Sequence, residues 1–261
     1  MKTFDQVRFS FPLAVALLFA TTLGGSNVTM AQESTAESSE LIVADNFDRA
    51  KLNEGSIRWK TNDGRALRTS KVAKNEFEPQ AKIVDNTLNI VRTKGSDHAA
   101  TCKTDAAFRN ALITFRFQIG SGEKFSFNMN DPNLKTVHAG HICKVEFGAK
   151  HVLIQDQKEG VMDLEFRKLR DAKAPKEELD QRLEGKSERT KVTIQPDKWH
   201  DAEIKLVNDR IDVTVDGKAI ASHASAGIGH PTKQNFAFSV PKTLMVDQLE
   251  IRDLGEVDPG R

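Results

Sequence analysis

The sequence predicts an all-β fold, an antiparallel β-sandwich of the jelly-roll kind with one short helical insertion, and three observations predict it. From Leu41 onward, apolar and polar residues alternate with a period of two rather than 3.6. The β-patterned runs are short, and pairs such as Asp85-Asn86, Asn208-Asp209 and Asp216-Gly217 stand between them, which is the chemistry of tight hairpins. No helical pattern alternates with the runs, as a parallel βαβ sheet would require. A chain of 261 residues is long enough for one such domain.

Along the chain, Lys2 and Arg8 precede an apolar run over 11–20 that is too short to span a bilayer. Thr29 and Ala31 then stand at −3 and −1 of a cleavage site. Residues 1–31 therefore read as a secretory signal peptide, which predicts a secreted or periplasmic protein with no membrane span in the mature chain. Residues 32–40 (QESTAESSE) are a polar leader with nothing to bury. The sandwich domain is expected over 41–254 and a tail over 255–261.

The first strands are expected at 41–47, 81–84 and 87–92. In 111–119, Ile113, Phe115, Phe117 and Ile119 share one face; in 124–130, Phe125, Phe127 and Met129 do the same. The opposite faces carry Arg116, Gln118, Lys124, Ser126, Asn128 and Asn130, read as one polar set on two neighbouring strands of one sheet. That set is the candidate ligand surface, with Arg116 and Asn128 as substrate-binding residues. Further strands are expected at 140–147, 150–155, 190–195, 201–207, 210–215, 235–240 and 245–252. Between them, 163–189 holds 16 charged residues in 27. Pro175 opens a run, KEELDQRLEGK, in which Leu179 and Leu183 lie four apart and Gly185 marks a stop, so one short helix is predicted there.

Composition excludes several functions. Basic and acidic residues number 38 and 37, for a net charge of +1, which removes the electrostatic attraction on which nucleic-acid binders depend. There is no glycine-rich phosphate loop, no G-x-S-x-G elbow and no Cys-x-x-Cys. Cys102 and Cys143 are 41 positions apart and cannot build a zinc site alone. A disulfide and a pair of buried free thiols both fit an exported protein.

Trp199-His200, an alternating strand, the Asn208-Asp209 turn and then Val-Thr-Val-Asp216-Gly217-Lys218 resemble concanavalin A-like (laminin G-like) jelly rolls. Asp45-Asn46-Phe47-Asp48 followed by Trp59 and a Gly-marked turn is similar in the same way. The stretch from Asp97-His98-Ala99-Ala100 through Arg109, Gly140-His141-Ile142-Cys143-Lys144-Val145 and Trp199-His200 resembles secreted bacterial proteins called 3-keto-disaccharide hydrolase-like or family 16 glycoside hydrolase-like. The likeness covers about 41–254. It implies a carbohydrate-active protein with a saccharide or polysaccharide as its ligand.

One departure from that pattern matters. The family 16 catalytic strand carries Glu-x-Asp-x-x-Glu, which this sequence lacks; its nearest approach is Met162-Asp163-Leu164-Glu165. Asp163 and Glu165 share one face of a strand and are a candidate acid and base, or a solvated strand end. His98 and His141 occupy positions matching the family pattern and are the candidate catalytic imidazoles; packing inside a sheet is the competing role. His141 alternates with Cys143 on one face, and Glu146 faces the other way. Arg109 is a candidate substrate clamp, or a partner for Asp105. With no Tyr and two Trp, a flat aromatic platform for sugars is not expected. Trp59 and Trp199 begin strands, where relatives place core packing. No cofactor or metal is expected, although Asp45, Asn46 or Asp247 offers the ligand type for a calcium ion of the kind such folds can carry. Three function classes remain: a hydrolase acting on a small or modified saccharide, a non-catalytic carbohydrate- or protein-binding module at the cell surface or in the periplasm, and a surface structural protein. The sequence leaves the oligomeric state open.

Overall fold

The structure, a computed structural model, describes residues 39–257; the predicted signal peptide, most of the leader and the end of the tail lie outside the described residues. The chain begins with β1 (Glu40–Asp45) and β2 (Lys60–Thr61), then α1 (Asp63–Ser70). Next come β3 (Ala81–Val84), β4 (Thr87–Val91), β5 (Ala100–Phe108), β6 (Ala111–Gln118), β7 (Lys124–Asn130), β8 (His141–Gly148) and β9 (His151–Asp156). Two helices follow, α2 (Leu164–Asp171) and α3 (Lys176–Leu183). The chain then forms β10 (Ser187–Lys191), β11 (His200–Val207), β12 (Arg210–Val215), β13 (Lys218–Ala224), β14 (Lys233–Val240) and β15 (Thr243–Asp253).

The strands make two antiparallel sheets. The first has the order β13-β12-β11-β6-β15-β4-β3, with β1 also paired to β15; the second has the order β10-β9-β8-β7-β14-β5-β2. The hairpin turns follow from their sequences: Asp85 and Asn86 both take left-handed backbone, as do Asp216 and Gly217, the requirement of a two-residue primed turn. The apolar stripes of β6 and β7 meet between the sheets. Phe115 on β6 stacks on Phe127 of β7, with ring centroids 5.8 Å apart and planes 10° from parallel, and packs edge-on against Phe125, Phe147 and Phe238. Trp59 closes one flank of this core against Phe47, Phe236 and Phe238.

Several expectations are corrected. β6 and β7 do not neighbour each other in one sheet: β6 belongs to the first and β7 to the second. The polar residues expected as one set therefore point out of opposite sides of the sandwich, Arg116 and Gln118 on one and Ser126, Asn128 and Asn130 on the other. The loop at 119–123 contains Gly120 and Gly122 and carries the chain across the core. Trp199 is outside the core; it lies half-buried on the outer face of the first sheet with the Arg116 guanidinium 5.3 Å from its ring centre. Cys102 and Cys143 are free and buried, on β5 and β8, with β14 and β7 between them, so no disulfide joins them. The charged insertion holds two helices rather than one, and α1 occupies the segment read as a Gly-marked turn. β5 and β13 were not expected, because their inward positions are filled by small residues such as Ala100, Cys102 and Ala221 rather than by a visible apolar stripe.

Candidate functional site on the second sheet

The register of β8, β7 and β14 aligns polar side chains on the face turned away from the core. Ser126 lies between Glu146 and Ser239, Asn128 between Lys144 and Ala237, and Asn130 between His141 and Asn235. These residues lie on an outer face, yet Ser126, Asn128, Asn130, Glu146 and Asn235 are each less than a tenth exposed. Such low exposure on an outer face is read as a recess with a polar floor. Buried amides must find partners, and most here do: Asn130 Nδ2 donates to Asn235 Oδ1 at 3.0 Å, and Asn128 Nδ2 donates to the Ala237 carbonyl at 3.3 Å. Asn130 Oδ1 and His141 Nδ1 are buried with no hydrogen-bond partner among the described residues.

His141 reaches this face through a local irregularity. Cys143 is opposite Met129 but His141 is opposite Asn130, so one extra residue sits in β8. Such a bulge re-aims the side chains before it. It reverses the alternation expected from the sequence and places His141 on the face of Lys144 and Glu146, away from Cys143. The turn entering β8 is equally specific. Ala139 and Gly140 take φ of +52° and +75°, and a Cβ on Gly140 would lie 2.2 Å from the Asp131 carbonyl oxygen. Asp131 N donates to the Gly140 carbonyl at 2.8 Å, and His138 N to the Met162 carbonyl at 2.8 Å. These bonds fix the His138 ring 6.4 Å from that of His141, with the ring planes 27° apart. Burial pushes the His141 pKa down to about 4, and the positive charges of His138, Lys144, His98 and Arg167 lower it further. At neutral pH His141 is an uncharged imidazole.

Glu146 has the opposite fate. Burial disfavours its charge, but a 2.9 Å bond to His151 and the ammonium groups of Lys144 (3.3 Å) and Lys124 (3.1 Å) outweigh it and hold the carboxyl at about 2. It is a permanently ionised anchor with its oxygens occupied, not a proton donor.

The structure brings some of the predicted site residues together and separates others. His98 lies exposed on the loop entering β5, and its charge acts on His141. Asn128 is on the floor of the recess. Asp163 neighbours the recess through the Val137–Asp163 bridge, but its carboxylate accepts from Phe166 N at 2.8 Å and caps α2. Glu165 pairs with Lys168 at 2.7 Å in the first turns of the same helix, so the two carboxylates do not share a strand. Arg109 sits at the β5–β6 turn, 3.6 Å from Glu256, while Asp105 pairs instead with Lys60 at 2.7 Å. The Arg109 carbonyl accepts from the buried Lys233 ammonium at 3.2 Å. Arg116 is across the molecule, between Asp201 (3.4 Å) and Asp247 (3.8 Å). Asp45, one of the possible calcium ligands, is filled by Arg49 and the Trp59 indole. Among the described residues no group of three or more His, Cys, Asp or Glu side chains is placed to hold a metal.

Sequence reasoning missed Asn235, Lys144 and Arg167 as members of this site. Asn235 and Lys144 follow from the period-two pattern once the strand order is known. Arg167 comes from a helix, for which the sequence carries no signal.

No family model matches the chain, and no curated protein matches it in sequence. Solved structures do match its fold. SCLam, a non-specific endo-β-1,3(4)-glucanase from family GH16, is 11% identical over 83% of this chain and 92% of its own, with a TM-score of 0.54. The laminarinase from Rhodothermus marinus is 14% identical over 82% and 97%, also at 0.54. The laminarinase from Flavobacterium sp. UMI-01 is 15% identical over 81% and 99%, at 0.53. The chain has the concanavalin A-like jelly-roll fold of family 16 glycoside hydrolases.

Proposed function

We propose that this chain is an exported carbohydrate-active protein that takes a saccharide into the recess of the second sheet and cleaves a glycosidic bond there. The observation that carries this reading is the pair of buried, unpartnered polar atoms, Asn130 Oδ1 and His141 Nδ1, facing each other across β7 and β8. Leaving such groups unpaired costs about 1–3 kcal/mol each, and a hydroxylated ligand would satisfy both once the Asn130 and His141 side chains turn toward it. The fold shared with glucanases and laminarinases supports the choice of ligand class, and the layout of residues 1–31 supports export.

In this reading the neutral His141 is the base that takes a proton from the attacking water, and His98 at the rim is the proton donor to the leaving oxygen. Asn128, Asn130 and Asn235 orient sugar hydroxyls. Asp163 acts on the site by starting α2, which carries Arg167.

The competing reading, a non-catalytic binding module, is favoured by one feature: the floor carboxylate, Glu146, is tied to three basic side chains, and no second carboxylate stands beside it. A single experiment separates them. The mature chain is incubated with plant, algal and bacterial glycans and with 3-keto-disaccharides, and products are read by mass spectrometry alongside His141→Gln. Catalysis predicts products whose release falls about 10²–10⁴-fold in the folded variant. Binding without products would assign a module, and neither binding nor products would remove saccharides altogether.

A further inference from the structure

The two outer faces of the sandwich differ in how their charges are balanced. On β6, β11, β12 and β15 of the first sheet the cations have acidic neighbours. Arg116 lies between Asp201 and Asp247, Arg210 pairs with Asp212 at 2.9 Å, and Arg252 pairs with Glu250 at 3.0 Å. Lys205 is opposite Asp212 in the register; burial disfavours the Asp212 charge, but the bonds from Arg210 and Ser222 and the charges of Arg210 and Lys205 outweigh it and lower its pKa. Glu203 adds one more carboxylate, so this face is close to neutral.

The recessed face of the second sheet is not balanced. Its register places Lys60, Lys103, Lys124, Lys144, Arg189 and Lys191 on the same side as His141, against two carboxylates, Asp105 and Glu146. Lys60 uses Asp105, and Lys124 and Lys144 share Glu146. Lys103, Arg189 and Lys191 have no acidic partner among the described residues, and neither does Arg167 at the end of the recess, whose guanidinium contact is the Met162 sulfur at 4.0 Å. An excess of four positive charges on one face stands out in a chain whose net charge is +1.

We infer that the saccharide taken by this face is an acidic one, bearing uronate carboxylates or sulfate esters, and that the unpartnered cations Lys103, Arg167 and Arg189 are its counterions. The inference rests on the saccharide reading above and narrows its substrate class. A neutral glucan would leave these ammonium and guanidinium groups without counterions. Anionic groups spaced along a sugar chain would meet them with charge-assisted bonds, bidentate at Arg167 and Arg189. An anion in the recess also offsets the positive charges that add to burial in lowering the His141 pKa, so ligand and base are coupled.

The test uses the mature chain and length-matched oligosaccharides: a neutral β-1,3-glucan, an oligouronate, a sulfated galactan and, as a polyanion control, a single-stranded DNA oligonucleotide of equal charge. Affinities are measured by calorimetry at low and high salt, for the wild type, Arg167→Gln, Arg189→Gln and, on the opposite face, Lys205→Gln. The inference predicts that one acidic oligosaccharide binds at least about tenfold tighter than the glucan and that the advantage shrinks with salt. It also predicts a several-fold loss in the Arg167 and Arg189 variants and none in the Lys205 variant. The uronate and sulfate arms decide which anion is the ligand. Equal binding of neutral and acidic chains would overturn the inference and leave the saccharide reading standing. Binding of DNA as tight as that of the acidic sugar would overturn it in favour of polyanions at large. Binding of none of the sugars would remove the saccharide reading itself.

Discussion

Two ionisable side chains on one polar face, His141 and Glu146, are driven in opposite directions by their neighbours. His141 is buried among positive charges and stays neutral; Glu146 is buried among donors and stays charged. For His141 the native pKa of about 4 lies below the ordinary 6.5. The unfolded chain therefore binds a proton that the native state refuses between those values, and stability falls as pH drops from 6.5 toward 4. NMR titration of the His141 ring should give a midpoint near 4, and His141→Gln should flatten that part of the stability profile. For Glu146 the native value of about 2 lies below 4.5, so its contribution is present above 4.5 and is lost as pH falls toward 2. Urea denaturation of Glu146→Gln should show a loss of about 1–3 kcal/mol at pH 7, vanishing in acid. An unchanged midpoint at pH 7 would mean that the cluster with Lys124, Lys144 and His151 does not form. His98 and His141 were legible as candidates because their positions match a family pattern. The carboxamide floor was half legible, since Asn128 and Asn130 alternate visibly while Asn235 could not be joined to them without strand order.

At the scale of elements, the site depends on a bulge, a turn and a helix cap. The bulge in β8 inverts the face on which His141 lies, and one extra residue in an apolar strand leaves no mark in composition. The sequence reading therefore put His141 beside Cys143. The turn at Ala139 and Gly140 was equally silent, although Gly140 is irreplaceable: Gly140→Ala needs left-handed backbone and drives a methyl into the Asp131 carbonyl. It should cost about 1–3 kcal/mol or more and move His138 and His141 together, visible as shifts of both ring signals. Asp163→Ala should cost about 1 kcal/mol, the usual value of a lost helix cap, with the His141 titration preserved. A loss of product release by orders of magnitude in that variant, with stability intact, would instead assign Asp163 to the chemistry. β5 escaped the sequence reading because its inward face is built of Ala100, Cys102, Thr104 and Ala106, where the period is present but the side chains are small.

For the whole molecule, the all-β architecture was legible because a large share of its 15 phenylalanines fall at alternate positions, and those of β6 and β7 meet in one aromatic core. Which sheet each strand joins was not legible. A five-residue loop with two glycines suits a hairpin as well as a crossing between sheets, so Arg116 and Asn128 were grouped although they lie on opposite sides. The free cysteines give a simple check on the sheet order: burial raises both thiols, Cys143 to about 12. Reductant should leave the thermal midpoint unchanged, and native protein should resist alkylation until it unfolds. No helix among the described residues is long and apolar enough to cross a membrane. Whether the recessed face of the second sheet is the saccharide site is decided by NMR chemical-shift mapping during titration with an oligosaccharide. If it is, the side-chain amides of Asn128, Asn130 and Asn235 and the His141 ring shift together and saturate with one affinity. Shifts gathered instead around Arg116 and Trp199 on the first sheet would contradict it.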